Sequence, residues 1–293
     1  MRLDDIDPTE NARDLGSGGG GGGFPLLGLL PFFLSGRMGC GGFLLLAVVA
    51  AVYLSMGGGG LVSTGAGPGT VSTTAGESGS GVCNTPARLE ACKVMHSADL
   101  TWAAIFRKTG KQYEPATIYF YTGGANSACG FASSAVGPYY CPGDDGVYLD
   151  TAFFDELAQR FGAKGDFARD YVIAHEMGHH IQDLLGISDE VSRRQAAAGE
   201  TEANKLSVRL ELQADCFAGV WASYNKDRLE PGDIEEGLTA AHAIGDDTLQ
   251  REAQGTVMPD KFTHGTSEER MRWLKRGLDS GDPGQCDTFS GAI

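Results

Sequence analysis

Two glycine-rich tracts do most to limit what this chain can fold into. Residues 16–23 read GSGGGGGG, and residues 57–82 read GGGGLVSTGAGPGTVSTTAGESGSGV. Neither can bury apolar surface, so each reads as a flexible connection. Between them lie FPLLGLLPFFL (24–34), interrupted by Pro25 and Pro31, and MGCGGFLLLAVVAAVYLSM (38–56). The second run holds 19 residues without a charge, close to the ~20 that cross a bilayer as a helix. It predicts a single N-terminal transmembrane helix. Arg2, Arg13 and Arg37 precede it, and no Lys or Arg follows before Arg88. The positive-inside rule then predicts a cytosolic segment over 1–37 and an extracytoplasmic chain beyond the span. A secretory signal is the competing reading, but its apolar region is normally shorter and nearer the N-terminus. The expected organisation is a Gly-rich cytosolic segment (1–37), a single-pass cell-membrane helix (38–56), a linker (57–82) and an extracytoplasmic folded domain (83–293).

The net charge of −15 and a pI near 4.7 argue against a nucleic-acid partner, which would need clustered Lys and Arg. Six cysteines follow the apolar run: Cys83, Cys92, Cys129, Cys141, Cys216 and Cys286. An even number beyond a membrane reads as disulfides. Proximity favours Cys83–Cys92 and Cys129–Cys141, which leaves Cys216–Cys286. Buried free thiols are the alternative, as in a cytosolic domain.

The domain reads as α+β, with a small early sheet and a helical later part. SADLTWAAIFRKTG (97–110) predicts a helix stopped by Gly110. YEPATIYFYTGG predicts a strand, and short strands follow, among them VYLD (147–150), the candidate edge strand for pairing with a substrate peptide. TAFFDELAQRFG is helical again. In DFARDYVIAHEMGHHIQDLLG (166–186), Phe167, Tyr171, Ala174, Gly178, Ile181 and Leu185 recur at helical spacing, with Asp166 and Gly186 as expected caps. Further helices are expected over 189–225, with a break near AAAGETEAN, over 233–244 and over 267–279. The last starts with a capping box, Thr266 and Glu269.

HEMGHH (175–180) holds three of the chain's six histidines. On a helix, His175 and His179 are four apart and face the same way, so two imidazoles can share one metal ion. Glu176 sits one step round and reaches a water in an open fourth position, the role of a general base. A third ligand is needed. The continuation that would place a histidine at 185 is absent, because the sequence has Gln182 and Leu185. RLELQADCFAGVW (209–221) offers Glu211 as the third ligand. Asp215, four residues later, is expected to accept a hydrogen bond from a ligand imidazole and fix its tautomer. Asp183 is a rival ligand, but three ligands along one straight helix span too much rise to converge. Glu200 and Glu202, in a polar stretch, are weaker rivals. His180 lies about 140° round from His175 and is expected to pack rather than ligate. His264 is a candidate for stabilising an oxyanion, with loop packing as its alternative.

HEMGHHIQ, ELQADCFAG, AIGDD and FTHGTSEERMRW, with GPYYCPGDDGVYLD upstream, resemble the bacterial putative neutral zinc metallopeptidase family. The resemblance covers about 83–290 and implies a zincin-like (gluzincin) domain with Zn2+ held by His175, His179 and Glu211. It also implies a membrane-anchored zinc peptidase acting on peptide or protein substrates, with Glu176 as catalytic base. The reading from another class is a tethered binding or scaffolding domain whose zinc is only structural.

Overall fold

The protein is described here by a computed structural model that covers residues 1–17, 78–291 and 293. In chain order its elements are β1 (Ala12–Ser17), α1 (Pro86–Lys108), β2 (Thr117–Thr122), β3 (Gly124–Ser127), β4 (Gly130–Ser133), β5 (Tyr139–Cys141) and β6 (Gly146–Leu149). Helices follow: α2 (Ala152–Gln159), α3 (Asp166–Leu184), α4 (Ile187–Ala197), α5 (Glu200–Tyr224), α6 (Asp233–Ala243), α7 (Asp246–Gln254) and α8 (Ser267–Ser280). The class is α+β, with a small sheet first and helices after it.

The sheet has the order β1-β2-β6-β5, and β3 pairs with β4 as a separate hairpin. In β2, Ile118 and Phe120 face the core while Tyr119 is half-buried, the alternation that a pleated strand imposes. β6 lies between β2, to which it is parallel, and β5, to which it is antiparallel. This corrects the edge role expected for VYLD. Gly146–Leu149 are all buried; β6 pairs with β2 along its whole length and with β5 over residues 146–148, so the outer strand on that side is β5.

α1 starts at Pro86, well before the expected residue 97, because Thr85 caps it through the Arg88 N–H and Pro86 suits a first helical position. α3 is preceded by Gly165 as its cap rather than by Asp166, which is its first residue. The break between α4 and α5 falls at Ala198 and Gly199. Both hydrogen bonds of the Thr266–Glu269 capping box are made. The cysteines pair as Cys83–Cys92, Cys129–Cys141 and Cys216–Cys286.

The N-terminal segment requires a correction. Residues 1–17 do not stand apart from the domain but form part of one compact unit with it. β1 pairs in parallel with β2, aligning Ala12 with Ile118. Thr9 N–H donates to the Cys92 carbonyl (3.2 Å), and Arg88 pairs with Asp14 (2.7 Å). A single crossing over 38–56 would put 1–17 and the domain on opposite sides of a membrane, which strand pairing forbids. Arg2 and Arg13, weighed as a cytosolic flank, instead serve the fold. Arg2 donates to the Asp227 carbonyl, and the Arg13 guanidinium lies over the Tyr119 ring. Among the described residues no helix is long and apolar enough to cross a membrane, and 38–56 itself lies outside them. The domain also begins earlier than Cys83: Ser78 bridges to Arg13, and Val82 is fully buried. The rest of the expected linker, 57–77, lies outside the described residues.

Close helix packing positions the site. A Cβ on Gly178 would lie 2.8 Å from the Ala214 carbonyl oxygen and 2.9 Å from Ala214 Cα. The glycine inside HEMGHH therefore lets α3 and α5 cross nearly backbone to backbone. On the other face of α5, a Cβ on Gly219 would strike the Leu274 carbonyl, and one on Gly277 the Cys216 carbonyl. α8 is thereby held against α5 next to the Cys216–Cys286 bond.

Candidate metal centre

The α3–α5 crossing brings together four side chains, His175, His179, Glu211 and Asp215. His175 and His179 project from one face of α3 towards Glu211 on α5. His175 Nε2 lies 3.1 Å from Glu211 Oε2, and His179 Nε2 lies 3.5 Å from Glu211 Oε1. One ligand atom from each of the three lies within 4.8 Å of the others. Asp215, one turn along α5, meets the opposite side of the first ring, with Oδ1 2.8 Å from His175 Nδ1. His179 Nδ1 lies 2.9 Å from Gln182 Oε1. Each imidazole thus has an acceptor at Nδ1, which places the proton there and leaves the Nε2 lone pair directed at the shared point. Two imidazole nitrogens and a carboxylate fit a zinc ion by donor type, number and convergence.

The supporting groups are buried and connected. Asp215 is fully buried and also accepts from Tyr171 Oη (2.6 Å) and from Arg270. Arg270, 2% exposed, donates further to Tyr171 and to the Ile244 carbonyl. Gln182 is fixed by donating to the Leu210 carbonyl (2.6 Å) and to Gln213 (3.2 Å), and Gln213 in turn donates to the Cys286 carbonyl (3.0 Å). The disulfide-tied C-terminal tail is therefore linked by hydrogen bonds to the second histidine.

These contacts set the charges. Burial opposes a proton on His175, but Asp215 and Glu211 outweigh it and push its pKa up to about 10. Burial opposes charge on His179 as well, and Glu211 raises it. Burial would raise Glu211, yet the facing imidazoles hold it well below the usual carboxylate range. Burial likewise works against the Asp215 carboxylate, and Arg270 and His175 hold it low.

The site opens into a cleft of about 640 Å³, which Glu176 also lines. His264 borders the same cleft, with its Nδ1 3.2 Å from Asp246 Oδ1. Asp246 Oδ2 also takes the backbone N–H groups of Thr263, His264 and Gly265, so the histidine sits on a braced loop. Burial opposes charge on His264, and the Asp246 bond and the Glu211 charge raise its pKa. His180 is turned away from the metal group: its Nε2 meets the Glu114 carbonyl (2.7 Å), and its Nδ1 meets Tyr140 Oη (3.1 Å). Asp183 bonds to Tyr140 Oη, and Glu200 pairs with Lys261, so neither joins the three ligand groups. Glu202, in the first turn of α5, is exposed and pairs loosely with Lys205.

Sequence reasoning missed Tyr171, Gln182, Asp246 and Arg270. Arg270 carried one usable signal. A basic residue near the N-terminus of a helix sits where the macrodipole favours acids, so its charge must be answered elsewhere.

A family model described as "Putative neutral zinc metallopeptidase" matches residues 2–289. The Escherichia coli (strain K12) protein named "Uncharacterized protein YpfJ" is 52% identical over 202 residues, covering 68% of this chain and 70% of that protein. The Mycobacterium tuberculosis (strain ATCC 25618 / H37Rv) protein named "Uncharacterized protein Rv2575" is 40% identical over 230 residues, covering 72% of this chain and 75% of that one. No solved structure matches this chain significantly.

Proposed function

The chain belongs to the putative neutral zinc metallopeptidase family, and from that membership we propose that it hydrolyses peptide bonds with Glu176 as general base. The observation that carries this reading is the convergence of His175, His179 and Glu211 at an open cleft. Among the described residues no fourth His, Cys, Asp or Glu joins that group. Three protein ligands facing a cleft are the pattern of a catalytic site, whereas a structural zinc is enclosed by four. This weighs against the scaffold alternative.

Zinc bound there supplies Lewis acidity, acidifying a water and polarising the scissile carbonyl. Glu176 follows the first ligand and lines the cleft, so its carboxylate can take a proton from the attacking water and pass it to the leaving amine. Asp215 and Gln182 keep the two imidazoles in one tautomer and one orientation. His264, braced by Asp246, is the candidate donor to the carbonyl oxygen as it gains charge. Tyr139 and Tyr140 of the outer strand β5 border the cleft, which suits an extended peptide docking along that strand. The three disulfides support a working place in an oxidising compartment outside the cytosol.

The test is to screen the purified full chain against a diverse peptide library with zinc, with chelator, and after zinc is restored. Cleavage should vanish with chelator and return with zinc. A library left uncut under all three conditions would sink the reading.

A further inference from the structure

A second group of carboxylates meets at the start of α3, before the turns that carry the two histidine ligands. Ligand oxygens of Asp166, Asp233 and Glu236 lie within 4.8 Å of one another. Asp166 is the first residue of α3, and Asp233 and Glu236 stand in the first turn of α6. A Cβ on Gly165 would run into the Glu236 carboxyl group. That glycine is therefore the cradle in which the carboxylate rests, accepting the Phe167 N–H (3.2 Å). Asp170, four residues after Asp166 and on the same face of α3, is 1% exposed. Its Oδ1 is buried without a hydrogen-bond partner among the described residues.

A cation already marks the place. The Met1 ammonium lies 2.6 Å from Asp166 Oδ2 and 3.3 Å from Asp233 Oδ2. It is a single charge among four carboxylates. Arg169 does not make up the difference, because its guanidinium is committed to both oxygens of Glu90 (2.9 Å each) and to the Gly165 carbonyl (3.0 Å). Burial, and then the Glu90 charge, push the Asp170 carboxyl well above the usual carboxylate range. A buried polar oxygen left unpaired is costly, and a cation beside it removes that cost.

We propose that Asp166, Asp170, Asp233 and Glu236 form a second metal site, for a hard divalent cation of the calcium class, whose place the Met1 ammonium takes in this structure. Donors that are all carboxylate oxygen suit calcium, whereas zinc favours nitrogen and sulfur. The Asp166 side chain is 41% exposed, which leaves the ion and its remaining water ligands a way in. The ion would join α3 to α6 at the start of the helix that carries His175 and His179. Such a site would stand whether or not the chain cuts peptides.

The test uses the full chain saturated with zinc, so that added calcium is not read at the His175–His179–Glu211 centre. Calcium chloride is titrated by calorimetry, beside thermal unfolding. One ion should bind with a Kd of about 10⁻⁴–10⁻³ M, the range of extracellular calcium modules. At ten times that concentration the melting temperature should rise by about 3–6 °C. Asp170→Asn and Glu236→Gln keep size and remove charge. Each should still melt cooperatively and bind calcium about tenfold or more weakly, because affinity follows the charge of the ligands. No calcium binding by the wild type overturns the site. Binding that both variants keep unchanged also overturns it, since that is the diffuse attraction of an acidic surface. So does a wild type indifferent to calcium whose Asp170→Asn variant melts higher, the mark of a carboxyl that simply keeps its proton.

Discussion

Arg270 grips Asp215 in a fork: Nε meets Oδ2 and Nη2 meets Oδ1, each at 2.9 Å. Both side chains are buried, and the other face of Asp215 Oδ1 is turned to His175. An ion pair from α8 therefore holds the carboxylate that orients a metal ligand on α3. Removing one member of a buried pair strands the other charge, which costs about 3–5 kcal/mol. Arg270→Met should lower stability by about that amount and weaken zinc binding by about 10–100-fold, the scale for partners of metal ligands. Thermal unfolding and chelator competition measure the two effects. A variant as stable and as zinc-avid as wild type would reject the link.

Glu176 and Glu211 border the same cleft but have different proposed jobs. Glu176→Gln keeps shape and removes basicity. It should retain zinc near wild-type stoichiometry and lose turnover by a factor on the order of 10²–10⁴. Glu211→Gln replaces an anionic ligand with a neutral one, so both zinc affinity and activity should fall, and excess zinc should restore part of the activity. Elemental analysis beside peptide cleavage at several zinc concentrations separates the two. Tight zinc binding by the Glu211 variant would move the third ligand elsewhere.

Gly178 sets the distance between the helices that carry the ligands. In Gly178→Ala the new methyl meets the Ala214 backbone, and backbone cannot rotate away as a side chain can. The expected cost is about 1–3 kcal/mol, as for other overpacked sites, with weaker zinc binding because Glu211 rides on the displaced helix. Ala214→Gly does not relieve a backbone contact, so the double variant should recover little. Full recovery in that variant, measured by unfolding and zinc titration, would show that the clash is not with the backbone.

Zinc affinity should also fall in acid. Protons on His175 and His179 compete with the ion, and the surrounding carboxylates raise both imidazoles. Zinc binding should therefore release protons near neutral pH. Calorimetry in buffers of different ionisation enthalpy counts them, and an absence of proton release would contradict the raised imidazoles.

Asp99 offers a stability test remote from the metal. Burial pushes its carboxyl up to about 7, against a 2.5 Å hydrogen bond from Tyr113 that pulls it down. Its folded pKa thus exceeds the ordinary aspartate value of 3.8. The folded state binds this proton more tightly, so the contribution is complete below about 4 and is lost as pH rises through about 7. Asp99→Asn mimics the protonated acid. At saturating zinc its melting temperature should match wild type near pH 4 and exceed it increasingly towards pH 8, by about 2–4 °C for each kcal/mol in a domain of this size. A difference independent of pH would refute the assignment.

What the sequence determined by itself was local. The four-residue spacings of His175 with His179 and of Glu211 with Asp215 follow from helical geometry. The Thr266–Glu269 capping box and the two short-range disulfides also join residues close in the chain. Tertiary structure decided what no local pattern encodes. β1 pairs with β2 across about a hundred intervening residues, bringing 1–17 to the domain and defeating a topology read from charge flanking an apolar run. β6 became an inner strand because β5 folds back along it, although its alternating residues read equally well as an edge. Arg270 reaches Asp215 only because Gly219 and Gly277 let α5 and α8 touch. Helical periodicity is written every few residues. Strand neighbours and the partners of buried charges depend on which surfaces meet, and that is settled only when the whole core packs.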